Sequence, residues 1–175
     1  SDVDALTNTS YFVGYSQGCY DGAFENRSVA PGSYSSQDCI SEHLVGGAHG
    51  AAAFIANTRY GWGAWDSTDG PSQHFDREFW DAVLGEGIRE AGAANDDSRW
   101  DQVGYATLDP IGRWCYYEIT LFGDPHLVLN LGVSSRGLVG FAMDQPPTFS
   151  GTRAAHERMR ACQSSCAFTA LKSLS

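Results

Sequence analysis

Residues 11–24, YFVGYSQGCYDGAF, hold the stretch that decides the fold. The run opens with strand-favouring aromatic and β-branched residues, and it is too short and too closely followed by turn-forming residues to be a helix. It therefore predicts a buried strand that delivers Cys19 into a loop, with Gly18 and Gly22 on either side. The loop after the carboxyl end of a strand is where open α/β sheets bind ligands. A buried structural cysteine beside a turn is the alternative interpretation.

Residues 51–57, AAAFIAN, are the second strand prediction. A continuous run of small apolar residues is typical of a parallel strand that is covered on both faces. Between the two strands the sequence predicts a short helix that is capped by Asp38 and runs through Val45 to Gly46. Strand, helix and strand in this order form a right-handed crossover, so both strands end at the same edge of the sheet. We therefore expect Cys19 to lie beside the segment after the second strand: Thr58, Arg59, Tyr60, Gly61 and Trp62.

The rest of the chain predicts three more helices and a hairpin. Apolar residues at helical spacing predict helices over 72–92 and 113–122. A strand is expected over 126–131, with a second strand over 138–143 paired to it, and a last helix is expected after residue 152.

Composition limits the partners of this chain. A length of 175 residues is enough for one domain with a buried core. The net charge of -10 argues against nucleic acid and against an anionic membrane surface, and favours cationic ligands or peptides. No apolar run is long enough to cross a bilayer, and no signal-like segment follows Ser1, so we expect a soluble, mature or processed protein.

The cysteines and glycosylation sequons predict a secreted or cell-surface protein. Sequons stand at Asn8 and Asn26, and five cysteines are an odd number. With Cys19 as the unpaired thiol, up to two disulfides in three pairings remain open for Cys39, Cys115, Cys162 and Cys166. Five reduced cysteines in a cytosolic protein satisfy the count equally well.

A nucleophilic cysteine needs a base, which makes the histidines important. His49 precedes its strand, and seven strand residues at about 3.3 Å each put it roughly 20 Å from Cys19. His74 begins a helix at the correct edge and is the one internal histidine with a route to the thiol. His43 is predicted to face the surface, His126 precedes a predicted strand, and His156 has no predicted position.

Four motifs follow one another along the chain: ALTNTSYFVGYSQGCYDGAF at 5–24, CISEHL at 39–44, GGAHGAAAFIANTRYGWG at 46–63 and YYEITLFGDPHLVL at 116–129. Together they resemble the carboxyl-terminal part of the gingipain-type cysteine peptidases. The resemblance implies an α/β, caspase-like three-layer sandwich with a mostly parallel sheet that here lacks its amino-terminal strands. On this basis residues 1–131 are the carboxyl-terminal part of a peptidase domain, and residues 132–175 are a hairpin and helix extension.

The resemblance also implies roles for individual residues. Cys19 corresponds to the family's nucleophile. In the mechanism that we predict, its backbone amide supplies part of the oxyanion hole. Arg59 could present its charge to a substrate, although a surface arginine is the simpler interpretation. No catalytic cofactor and no metal at the site are implied, but a structural calcium ion is compatible with an acidic face formed by Glu90, Asp96, Asp97 and Asp101. The implied substrate-binding residues are Gly18, Thr58, Arg59, Tyr60, Gly61 and Trp62.

The family's base is a histidine followed by glycine after an earlier strand, and no residue upstream of Cys19 matches it. That histidine lies on a separate chain from a longer precursor, or in a part of the protein outside this sequence, or the protein is a relative that cleaves nothing. We expect an N-terminal chain or segment that carries the histidine to pair with the strand over 11–15. The predicted function is a cysteine endopeptidase subunit acting on peptides or proteins; the alternative is an inactive caspase-like surface or assembly module.

Overall fold

The computed structural model describes residues 2–130, which form a small mixed sheet between two layers of helices. The strands are β1 (Phe12–Tyr15), β2 (Ala51–Asn57) and β3 (Ile119–Gly123). β2 lies in the centre, parallel to β1 and antiparallel to β3. The helices are α1 (Ile40–Gly46), α2 (Pro71–Asp81), α3 (Ala91–Asp101), α4 (Val103–Leu108) and α5 (Pro110–Glu118), preceded by a 3₁₀ turn at Asp2–Ala5. This mixed α/β arrangement is compatible with a caspase-like sandwich, although the sheet is small.

The predicted crossover unit is confirmed. β1 pairs in parallel with β2, from Phe12 opposite Ala51 to Tyr15 opposite Ile55, and α1 connects the two strands. The helix cap is Cys39 and not the predicted Asp38, because the Glu42 carboxylate accepts the Cys39 amide at 2.9 Å. Because β1 and β2 run parallel, both strands end at the same edge of the sheet.

Each face of the sheet has its own apolar core, because successive strand side chains point to opposite faces. On one face Tyr15, Ile55 and Ile119 pack with buried residues of α2 and α5. On the other face Phe12 and Phe54 pack with Leu44 of α1. The first cluster contains Phe75, Phe79, Val83 and Cys115, all of which are fully buried.

The helix predicted over 72–92 is wrong in extent. α2 ends at Asp81 and continues as a π turn, Ala82–Glu86, and α3 is a separate helix that begins at Ala91. The break comes at Gly87, whose φ of 79° lies in the left-handed region that ends helices. The apolar stripe continues past the end of α2 because Val83 of the π turn and Ile88 after it pack on the same core as Phe75 and Phe79.

The prediction of a helix over 113–122 combined two elements. α5 begins at Pro110, after Asp109 accepts the Gly112 amide at 2.7 Å, and it ends at Glu118, where β3 begins. The strand predicted over 126–131 is also wrong for the described residues, since only Val128 forms a bridge there, to Glu90.

The second hairpin strand over 138–143 and the helix after residue 152 lie outside the described residues. The predicted domain boundary after residue 131 lies there as well. Across residues 2–130, the helices are all too short or too polar to cross a bilayer.

Candidate active site

Cys19 lies at the edge of the sheet where β1 and β2 both end. Its thiol donates to the carbonyl oxygen of Gly61 at a distance of 3.6 Å, so the predicted proximity of Cys19 to the 58–62 segment is confirmed. The next residue, Tyr20, donates its amide to the Arg59 carbonyl at 2.7 Å and has a φ of 63°. A non-glycine residue seldom adopts that backbone conformation, and such residues cluster at functional sites.

Buried polar side chains hold the loop that presents Cys19. The Ser16 hydroxyl accepts the Gly18 amide at 3.1 Å and itself donates to the Asp21 carboxylate. The Asn57 amide donates to the Gly18 carbonyl at 3.3 Å. Ser16, Asp21 and Asn57 are all buried. Sequence reasoning missed these three residues, although polar residues beside the cysteine and at the end of an apolar strand were a usable indication.

The 58–62 segment forms an aromatic rim beside the thiol. Tyr60 and Trp62 are each 41% exposed, and the Tyr60 ring meets Tyr20 edge to face at 5.0 Å. The Trp62 amide donates to the Ser72 hydroxyl at 2.9 Å, which connects the segment to α2. Aromatic side chains next to a half-buried thiol can contact the backbone and side chains of a bound peptide.

Thr58 and Arg59, the other side chains of this segment that were predicted to bind substrate, form hydrogen bonds within the protein. The guanidinium of Arg59 pairs with Glu25 and also donates to the Thr58 carbonyl at 3.1 Å. The backbone amide of Arg59 donates at 3.0 Å to Glu118, a carboxyl group that is only 4% exposed. Burial raises the pKa of Glu118 to about 8, against the opposing effect of the Arg59 amide. Sequence reasoning missed Glu118, whose one indication was an acid within an otherwise apolar and aromatic stretch.

The histidines of the described part have ring partners away from the Cys19 loop. His49 lies at the amino end of β2, as predicted, and His74 also stacks on Tyr105 with a centroid distance of 4.8 Å. The partners are Asp4 for His43 (2.9 Å), the Asn8 carbonyl for His49 (2.8 Å), Asp69 for His74 (3.2 Å) and Glu90 for His126 (3.8 Å). His156 lies outside the described residues.

Two other thiols of the described residues lie partly or fully inside the protein. Burial raises the pKa of Cys39 to about 11 and that of Cys115 to about 12. Both are therefore protonated at neutral pH, when a thiol is a poor nucleophile. Cys39 and Cys115 form no disulfide with each other. The two remaining cysteines, Cys162 and Cys166, lie outside the described residues.

The acidic face differs from the predicted one. Glu86, Asp97 and Asp101 each bring a carboxylate oxygen within 4.8 Å of the other two, whereas Glu90 and Asp96 lie outside this cluster. The carboxylate of Asp97 raises the pKa of Glu86, as expected for like charges in close proximity. Three carboxylates supply only part of the six to eight oxygens that Ca²⁺ takes, so the cluster alone does not identify an ion site.

Comparison with known proteins decides the family. The model of Peptidase family C25 matches residues 1–130, which include the Cys19 loop, the 58–62 segment and β3. The chain belongs to peptidase family C25. The resemblance to gingipain-type peptidases is thereby confirmed, and family C25 indicates a cysteine peptidase that acts on proteins. No curated protein and no solved structure matches the chain.

Proposed function

We propose that this family C25 chain is a subunit of a cysteine endopeptidase and that Cys19 is its nucleophile. The observation that carries the proposal is the thiol of Cys19, 3.6 Å from the Gly61 carbonyl at the common end of two parallel strands. The exposed rings of Tyr60 and Trp62 beside it provide a surface for a peptide. We assign Gly18 and the 58–62 segment to substrate binding.

The proposed reaction has two steps. A histidine takes the thiol proton while the sulfur of Cys19 attacks the substrate carbonyl carbon, and a C–S bond forms. The C–N bond then breaks as the histidinium gives its proton to the leaving amine. Water, deprotonated by the same histidine, hydrolyses the thioester, and the carboxylic acid and the thiol are released. The backbone amide of Cys19 donates to the oxyanion in both steps.

We further propose that this histidine comes from an N-terminal chain or segment that pairs with β1. Within residues 2–130, β1 has β2 as its one hydrogen-bonded neighbour and lies at the edge of the sheet. An uncovered strand edge offers a row of backbone groups to a further strand. The ring contacts of His43, His49, His74 and His126, which lead to other partners, favour a base from elsewhere.

Net charge and glycosylation sequons support proposals for the substrate and for the location. The net charge of -10 favours substrates with basic residues near the cleaved bond. The charge of Arg59 is partly neutralised by Glu25, so this side chain is a poor anchor for acidic substrates. The sequons at Asn8 and Asn26 support a secreted or cell-surface location, which cell fractionation with glycosidase treatment would test.

Substitution of Cys19 tests the peptidase proposal in the complete native preparation, with all copurifying fragments. We expect wild type to digest unfolded casein and to react through Cys19 with peptidyl acyloxymethyl ketones that carry basic, acidic or apolar residues. Cys19→Ala abolishes both activities. The control Cys39→Ser, which keeps a polar cap on α1, retains both.

Three results would contradict these proposals. If Cys19→Ala leaves casein digestion unchanged, or Cys19 reacts no faster than an ordinary thiol, the chain is the non-catalytic surface or assembly module instead. Mass spectrometry of the same preparation should detect a second fragment, distinct from residues 1–175 and their own His49-Gly50, that carries a His-Gly pair. A preparation that is active without such a fragment would contradict the external histidine.

A further inference from the structure

Glu118 connects the end of α5 to the 58–62 segment. It lies beside Thr58 because β2 ends where β3 begins, with Asn57 opposite Ile119 in the antiparallel register. The Glu118 carbonyl accepts both the Thr58 amide at 3.1 Å and the Thr58 hydroxyl at 3.0 Å. These contacts place the Glu118 side chain next to Arg59, the following residue of the segment.

The carboxyl group of Glu118 binds Arg59, the residue whose carbonyl contacts the cysteine loop. Its Oε2 atom accepts the Arg59 amide at 3.0 Å, and the Arg59 carbonyl accepts the Tyr20 amide at 2.7 Å. Tyr20 directly follows Cys19 and has a φ of 63°. A short chain of hydrogen bonds therefore runs from a buried carboxyl to the residue next to the thiol.

Trp114, one helical turn before Glu118, holds the same segment at a second point. Its indole N–H donates to the Tyr60 carbonyl at 3.2 Å. The carboxyl end of α5 thus contacts three successive residues of the segment, and the Gly61 carbonyl that meets the thiol comes directly after them.

A buried carboxyl is a costly way to hold a loop. Glu118 Oε1 is buried and has no well-aligned hydrogen bond among the described residues, and the nearby Trp114 indole, which lowers the pKa of Glu118, offsets only part of the lost hydration. Neutral acceptors perform a purely structural role at lower cost, and perturbed buried acids cluster at functional sites.

We propose that Glu118 is a positioning residue of the peptidase site, which holds the 58–62 segment against the Cys19 loop through the Arg59 amide. This inference rests on the proposed function of Cys19. Glu118 does not take part in the chemical steps. It fixes the position of the aromatic rim relative to the Cys19 thiol, so that a substrate can contact both.

Three substitutions test this proposal in the complete native preparation. Glu118→Ala removes the acceptor, Glu118→Asp withdraws it by one methylene, and Glu118→Gln keeps an acceptor oxygen at the same reach. The control is Asp96→Asn on the exposed side of α3. We measure kcat and KM for casein digestion, and the rate constant of Cys19 alkylation by the fastest ketone of the panel, on samples whose folding is checked by circular dichroism.

We expect a fall of about 10- to 100-fold in kcat/KM and in the alkylation rate for Glu118→Ala, because small misplacements at an active site have large kinetic effects. Glu118→Asp should show a smaller fall, and Glu118→Gln and Asp96→Asn should stay within about threefold of wild type. If Glu118→Ala does not fold, the aspartate and glutamine variants decide.

The proposal is overturned if the folded alanine and aspartate variants react at the wild-type rate, or if glutamine is as slow as alanine or slower than aspartate. Loss of activity in Cys19→Ala with none in the Glu118 variants removes this inference alone. If Cys19→Ala is itself fully active, both proposals are wrong.

Discussion

The contact between the thiol and the 58–62 segment depends on a residue without a side chain. Gly61 packs so closely on the Cys19 loop that a Cβ there would overlap the Gln17 carbonyl oxygen and lie 2.6 Å from the Asn57 amide nitrogen. Backbone atoms of the loop cannot move aside without shifting Cys19. The residue type at position 61 therefore sets the distance between the rim and the thiol.

Gly61→Ala should push the segment away from the cysteine loop. We expect a loss of about 1–3 kcal/mol in the free energy of unfolding, typical of an overpacked site, and a fall of about tenfold or more in kcat/KM. The matched control is Gly63→Ala, where an added Cβ meets no atom within 4 Å. Denaturant unfolding and casein digestion check both variants, and equal behaviour of the two would contradict the packing argument.

Among the elements, the junction between α2 and α3 is the least regular. The π turn Ala82–Glu86 ends at Gly87, whose amide donates to the Ala82 carbonyl and whose φ is 79°. Glycine adopts this conformation without the steric penalty that other residues meet. A local property of one residue thus separates two helices that share one apolar core.

Two glycine substitutions should change stability in opposite directions. Gly87→Ala should lower the free energy of unfolding by about 1 kcal/mol, since alanine is strained at positive φ. Gly104→Ala, at an exposed position within α4 where an added Cβ meets nothing, should raise it by about 0.5–1 kcal/mol. Thermal or urea unfolding measures both. A stabilising Gly87→Ala would be inconsistent with the observed helix break.

At the scale of the whole molecule, the buried acid Glu118 makes the free energy of unfolding depend on pH. Burial raises the pKa of Glu118 from an ordinary value of 4.5 to about 8. Between these values the folded protein holds a proton that the unfolded chain has lost, so the free energy of unfolding decreases as pH rises. The ionisable neighbours that Glu118 influences are Tyr15 of β1 and Cys115 of its own helix, and Arg59 faces it from the end of β2.

Glu118→Gln should remove this part of the pH dependence. Relative to that variant, wild type should lose a few kcal/mol of unfolding free energy between pH 5 and pH 8. Burial raises the pKa of Tyr15 and of Cys115 well above this window, so neither contributes to the difference. Urea unfolding at several pH values measures the difference between wild type and Glu118→Gln. The exposed Asp96→Asn is the control that should follow wild type. Parallel curves for wild type and Glu118→Gln would show that Glu118 ionises normally.

Local patterns were sufficient for β1, β2 and their shared edge. The apolar runs over 11–15 and 51–57 predicted β1 and β2 because run length and residue type are properties of neighbouring residues. The crossover pattern then predicted that Cys19 would meet the 58–62 segment, since two parallel strands end at the same edge of the sheet. The family resemblance was also readable from motifs and their order.

Contacts between distant residues required the folded structure. The local sequence provided an indication for Ser16, Asp21, Asn57 and Glu118 but could not establish their burial, because burial depends on which elements pack over them. The end of α5 at Glu118 and the start of β3 were likewise decided by pairing with β2, which overrides a helical apolar pattern. The chain order thus predicts where the thiol emerges, and packing decides which polar atoms hold it there.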